Sequence, residues 1–156
     1  IGGAAGAFPP MIGWAAVTGS VTIESVVLFL IIFMWTPPHF WALALYRCRD
    51  YERVGVPMLP VVAGPAETRR QIVLYSWALV PLATLPTFMG FAGNLYLVTS
   101  VVSGAIFLYF ADRVRRITEG REGDHAAKQL FLFSILYLFL LFVVLLGEHT
   151  WQRLMG

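Results

Sequence analysis

The chain has 156 residues, of which 58% are hydrophobic, 15% aromatic and only 13% charged, where a soluble domain carries roughly 25% charged residues. With a mean hydropathy of +0.73, it lacks the polar side chains needed to cover a soluble surface, and the same numbers exclude intrinsic disorder. A net charge of +2 and a single cysteine, Cys48, argue against a nucleic-acid partner and a disulfide scaffold, which leaves an integral protein of the lipid bilayer.

In chain order, the first segment begins at Ile1 without the basic region or cleavage site of a signal peptide. It reads as a sequence that continues upstream. Gly2, Gly3, Gly6, Pro9, Pro10, Gly13 and Gly19 make it a poor regular helix, so a broken span is expected over residues 3–19. Residues 24–46 supply one full span, because about 20 apolar residues cross the hydrocarbon. The run 71–111 is too long for one span and is interrupted by Gly90-Phe-Ala-Gly-Asn94. A turn there gives two spans, 71–89 and 95–111. Within the second, Thr99, Ser100, Ser103 and Gly104 recur at helical spacing and predict close helix packing. The last span, 130–147, is almost all Leu, Phe and Val. It is expected to be a peripheral, lipid-facing helix without chemistry. Nothing alternates as a transmembrane strand would, so the fold class is an all-α polytopic transmembrane helix bundle.

Charge gives the orientation. Arg47, Arg49, Arg53, Arg69 and Arg70 lie between residues 47 and 70, and Arg113, Arg115, Arg116, Arg121 and Lys128 between 112 and 128. Ten of the eleven basic residues therefore sit in two loops on one side, with only Arg153 at the other. The positive-inside rule makes those loops cytoplasmic.

Chemistry concentrates between Trp35 and Gly64. Pro37 and Pro38 interrupt a membrane helix and free carbonyls near Phe33 and Met34. His39 follows, and two readings are open. Its ring N–H satisfies one of those carbonyls, or its imidazole faces a substrate or metal-containing ligand. If the helix continues, His39, Leu43, Tyr46 and Asp50 share one face, with His39 roughly 16 Å deeper than Asp50. One stripe would then lead from an arginine-rich mouth to an imidazole between Trp35 and Trp41. At that mouth Asp50 and Glu52 sit among Arg47, Arg49 and Arg53. They form either a solvated loop drawn to anionic lipid heads or a site in which carboxylates hold Mg²⁺ and arginines clamp diphosphate. The apolar, proline-containing stretch 54–62 suits an ordered lid. His39, His125 and His149 belong to different compartments and form no common metal site, and Gly120-Arg-Glu-Gly-Asp lacks the pattern of a phosphate loop.

The run Trp35-Thr-Pro-Pro-His-Phe-Trp-Ala-Leu-Ala-Leu, with Asp50-Tyr51 and Gly55-Val-Pro-Met-Leu-Pro-Val-Val, closely resembles the UbiA-type membrane prenyltransferases, in their protoheme IX farnesyltransferase (heme O synthase) branch. Gly6-Ala-Phe-Pro-Pro-Met-Ile-Gly-Trp14 and Lys128-Gln-Leu-Phe-Leu-Phe-Ser-Ile-Leu-Tyr match further segments of that family, so the resemblance covers the whole chain. It implies that residues 1–156 are the C-terminal part of a single prenyltransferase domain of about nine helices. The first Asp-rich motif would then lie in an N-terminal half upstream, and this chain alone would be inactive.

The second acidic motif maps onto Asp50 and Tyr51. Arg49 stands where many relatives have another acidic residue, and Val54 where alanine is usual. With Arg49 there, Asp50 either binds magnesium directly or orients an arginine. The implied catalytic residues are Asp50, Tyr51 and Arg53, with Asp50 the metal ligand. Trp35, His39, Trp41, Tyr46, Arg47 and Arg49 would bind substrate. The implied reaction moves a farnesyl group from farnesyl diphosphate, with Mg²⁺, to a vinyl group of heme B. It yields heme O for terminal oxidases, in a bacterial inner membrane with the active-site loops cytoplasmic. The alternatives are a quinone-pathway aromatic prenyltransferase of the same fold and a non-catalytic membrane heme carrier or assembly subunit.

Overall fold

A backbone in hydrocarbon has no water to bond, and a helix satisfies its own polar groups within one segment. The computed structural model describes residues 2–53, 55–118 and 120–155, and the side chains of Arg49, Gln152 and Arg153 fall outside that description. Among the described residues every regular element is helical: α1 (Gly2–Thr18), α2 (Ile23–Tyr46), α3 (Cys48–Arg53), α4 (Leu59–Val62), α5 (Gly64–Phe88), α6 (Asn94–Arg116) and α7 (Gly120–Met155). Helices α2, α5, α6 and α7 are long and apolar enough to cross a membrane. In their most apolar windows only 22–33% of residues are buried, so large apolar faces are left for lipid or for further protein.

Helix α2 packs on α5 and α7, and α6 closes the ring between them; α1 lies against α2. Short connections make α5, α6 and α7 successively antiparallel. The tight turn after α5 forms as expected: Gly90 takes φ +83°, and the N–H groups of Phe91 and Ala92 donate to the Pro86 carbonyl. The small residues of α6 also behave as expected. A Cβ on Gly104 would come within 2.8 Å of Val80 Cγ1 on α5, and Ser100 and Ser103 are buried beside it. Glu148 of α7 then ties down the start of α6. Its carboxylate accepts from the N–H groups of Gly93 (2.7 Å), Leu95 (2.9 Å) and Tyr96 (3.3 Å), donors that have no partner within the helix.

Several helices outrun the apolar runs that announce them. Helix α5 starts at Gly64, α6 reaches Arg116 and α7 starts at Gly120. The charged segment 112–128 is therefore mostly helix rather than loop. Arg, Lys, Glu and Ala are good helix formers, so hydropathy marks the edge of the hydrocarbon rather than the end of the helix. Helix α1 runs on through Pro9 and Pro10, where the sequence predicts a break. Helix α7 is not peripheral. Leu130, Ser134, Tyr137 and Leu141 form a buried stripe, and the helix packs on both α2 and α6.

Candidate functional site

The seam between α2 and α7 carries most of the polar chemistry. His39 faces α7, one turn after Trp35. Its Nδ1 lies 2.6 Å from Ser134 Oγ, and the Trp35 indole N–H donates to the Ser134 carbonyl at 2.8 Å. The imidazole is stacked between Trp35 (centroids 4.2 Å apart, planes 19°) and Phe131 (4.7 Å, 24°), with Phe40 edge-on at 5.4 Å. The ring thus bonds to a hydroxyl of another helix, not to a carbonyl freed by the prolines. Trp41 does not sandwich it: Trp41 sits edge-on to Tyr75 of α5, with ring centroids 5.2 Å apart.

Seven residues further along α2, about 10 Å at the helical rise, Tyr46 lies between two cations. Arg47 Cζ is 5.1 Å and Lys128 Nζ 5.7 Å from its ring centroid, the geometry of cation–π attraction. Here α2 ends. Arg47 takes φ −109°, ψ 22°, and α3 starts afresh at Cys48. The uninterrupted helical stripe from His39 to Asp50 is therefore broken at Arg47. The break lets the Asp50 and Tyr51 N–H groups donate to the Arg47 carbonyl.

Beyond the break is a cavity of about 500 Å³ lined by Leu45, Tyr46, Arg47, Cys48, Asp50, Gly120, Arg121 and Asp124. Arg47 Nη1 donates to Asp50 Oδ2 at 3.0 Å, both side chains being about half exposed. That bond holds the guanidinium further in its charged form. Burial, with Glu52 adding to it, pushes the Cys48 thiol up, away from a reactive thiolate. Tyr51 and Arg53 do not line this cavity. Arg49 belongs to α3, and its side chain is outside the described residues. The stretch 56–62 includes the short α4, which packs on α2, α3 and α5 and is not part of the cavity wall.

No cluster of three or more His, Cys, Asp or Glu side chains able to hold a metal occurs among the described residues. The two carboxylates on the cavity wall, Asp50 and Asp124, fit a metal that completes its shell with diphosphate oxygens, as magnesium does. They do not fit a dedicated protein cage.

At the other end of the seam is an apolar groove of about 410 Å³ between α1 and α7, lined by Pro9, Pro10, Ile32, Trp35, Phe139 and Phe142 among others. Trp35 thus belongs to both the groove and the imidazole stack.

Ser134, Phe131, Arg121, Asp124 and Lys128 were not singled out from the sequence as site residues. Ser134 had a signal: it is the only Ser or Thr in the run 129–147, and polar groups in a membrane span face the protein interior.

This is a polytopic helical protein with a charged cavity and an apolar groove on one helix seam, and the comparisons give that class a family. The chain belongs to the UbiA prenyltransferase family, whose model matches residues 1–136. It is an integral membrane protein. It is 70% identical over 148 residues to the protoheme IX farnesyltransferase of Parvibaculum lavamentivorans, covering 95% of this chain and 46% of that protein. Over 149 residues it is 61% identical to the protoheme IX farnesyltransferase of Methylorubrum extorquens, covering 96% and 47%. The protein of the same name from Azorhizobium caulinodans is 60% identical over 148 residues, covering 95% and 48%. The chain thus spans about half the length of the curated relatives it matches. No solved structure matches it.

Proposed function

We propose that this chain supplies one part of a prenyltransferase that joins a farnesyl group from farnesyl diphosphate to a vinyl group of heme B, giving heme O. The observation that carries the reading is the α2–α7 seam. A cavity with two arginines and two carboxylates, an aromatic-clamped imidazole and an apolar groove follow one another along it. The relatives named protoheme IX farnesyltransferase supply the substrate pair.

In this reading Arg47 and Arg121 hold the diphosphate. Asp50 and Asp124 would hold Mg²⁺ there, and Asp50 also keeps Arg47 in place. A bound Mg²⁺ supplies further positive charge to the leaving diphosphate. The farnesyl C1–O bond breaks with its electron pair on the diphosphate, and the guanidinium groups stabilise that charge. The allylic cation is kept from water beside the aromatic faces of Trp35 and Phe40. The vinyl carbon of heme B attacks it. Water then adds to the adjacent carbon and releases a proton, giving the hydroxyethylfarnesyl group. His39 contacts heme B. Tyr51 and Arg53 act from α3, outside the cavity wall, Arg49 belongs to the same helix, and Trp41 supports α2 from the α5 side.

The remaining helices and the other acidic motif come from an upstream half of the protein. The charged end faces the cytoplasm of a bacterial inner membrane, a placement supported by the ten-to-one excess of basic residues at that end. Reporter fusions at Gly120 and Gly156 give opposite readings if this is right, and the same side for both refutes it. The chemical test is incubation of the purified full-length protein with farnesyl diphosphate and heme B. Heme O and diphosphate are expected in equal amounts. Heme retention without diphosphate release would make the protein a carrier instead.

A further inference from the structure

We propose that Ser134 is a positioning residue: it holds His39 as the Nδ1–H tautomer, so that the Nε2 lone pair is presented to the iron of the heme substrate. The inference rests on the reading of His39 as a heme-facing residue, and it decides between iron and a propionate as its target.

The argument is a count of protons. Ser134 Oγ lies 2.6 Å from the Phe131 carbonyl oxygen and 2.6 Å from His39 Nδ1. The carbonyl has no hydrogen to offer. Two oxygens at that distance repel unless a proton lies between them, so the one hydroxyl proton of Ser134 goes to Phe131. Oγ then has only lone pairs to turn toward Nδ1, and Nδ1 must be the donor. A neutral imidazole protonated at Nδ1 carries its lone pair at Nε2.

The assignment is held in place on every side. Ser134 is fully buried, so no water competes for its oxygen. Trp35 and Phe131 cover the two faces of the ring, and the Trp35 indole anchors itself to the Ser134 backbone. Turning the ring over would put a C–H against Oγ and lose the bond. Among the described residues no hydrogen-bond partner reaches Nε2. A metal-facing histidine whose other nitrogen donates to the protein is the arrangement that orients an imidazole ligand. A propionate, in contrast, requires an N–H donor, and this tautomer offers none at Nε2.

The test uses the full-length protein in lipid nanodiscs with ¹⁵N-labelled histidine, His39 being assigned by difference from His39→Gln. The ring nitrogen shifts are expected to show a protonated Nδ1 and a bare Nε2. Ser134→Ala is expected to admit the Nε2–H form, to weaken hemin binding about tenfold and to diminish the absorption signature of imidazole-ligated iron. Ser134→Thr, which keeps the hydroxyl, restores both. A wild type protonated at Nε2 overturns the proposal. So does Ser134→Ala with unchanged ring shifts and hemin spectrum, or His39→Ala with an unchanged hemin spectrum. The ring shifts are read without turnover, so a wild type that makes no heme O sinks the transferase reading alone.

Discussion

The two ends of the α2–α7 seam are held by opposite means. At His39 the partners come from a helix nearly a hundred residues away in sequence, and the stack and hydrogen bonds fix the half-buried ring. At the charged cavity the ion pair is local, Arg47 with Asp50 three residues on, and both side chains are about half exposed. The first arrangement is preorganised by this chain. The second has charged groups of both signs around an open volume, and in the proposed function it obtains its final geometry only with diphosphate, metal and the rest of the protein. In the proposed function, binding of one substrate is thus built in, while catalysis depends on additional groups.

That contrast is open to direct attack. The largest effect is expected from separating the chain from the proposed upstream half: residues 1–156 alone form no heme O in a membrane assay in which the full-length protein does. Measurable product from this chain would mean that the cavity at Asp50 is complete by itself. Next comes Asp50→Asn in the full-length enzyme, which keeps bulk and removes charge. Turnover is expected to fall about 100-fold, with hemin affinity little changed in a titration. Full activity would remove Asp50 from the diphosphate site.

His39→Ala attacks the other end and is expected to reverse the pattern. Hemin affinity drops about tenfold, and diphosphate release recovers as hemin is raised. An unchanged affinity and rate would reduce His39 to a packing residue. The smallest effect is expected outside the seam. Glu148→Gln weakens the cap on α6 by about 1 kcal/mol, seen as a lower unfolding temperature in detergent with turnover per folded molecule unchanged. A loss of turnover there would show that the far end of α6 is coupled to the site.

Some of this was written in the residues themselves. Hydropathy and length give the helices because hydrocarbon admits few alternatives. Gly90 and Gly93 give the turn between α5 and α6, and Gly104 gives the close approach to α5. The arginines give the charged end, and the Pro-Pro-His-Phe-Trp run points to α2 as the chemical helix. These signals are local: each depends on a residue's own properties or on neighbours within a few positions.

Tertiary structure decided the rest. Tyr46 and Lys128, and His39 and Ser134, meet because α2 and α7 run antiparallel in contact, and Asp50 of α3 and Asp124 of α7 come to line one cavity. In an all-apolar helix like α7, periodicity does not tell the protein-facing side from the lipid-facing side, since both are built of Leu and Phe. The break at Arg47 was equally invisible, because no glycine or proline marks it. The sequence determined which residues lie in the membrane and which helix carries the imidazole. Only the packing decided which nitrogen of that imidazole is tied down, because it sets His39 of α2 against a hydroxyl of α7 whose single proton goes to the Phe131 carbonyl one turn back on its own helix.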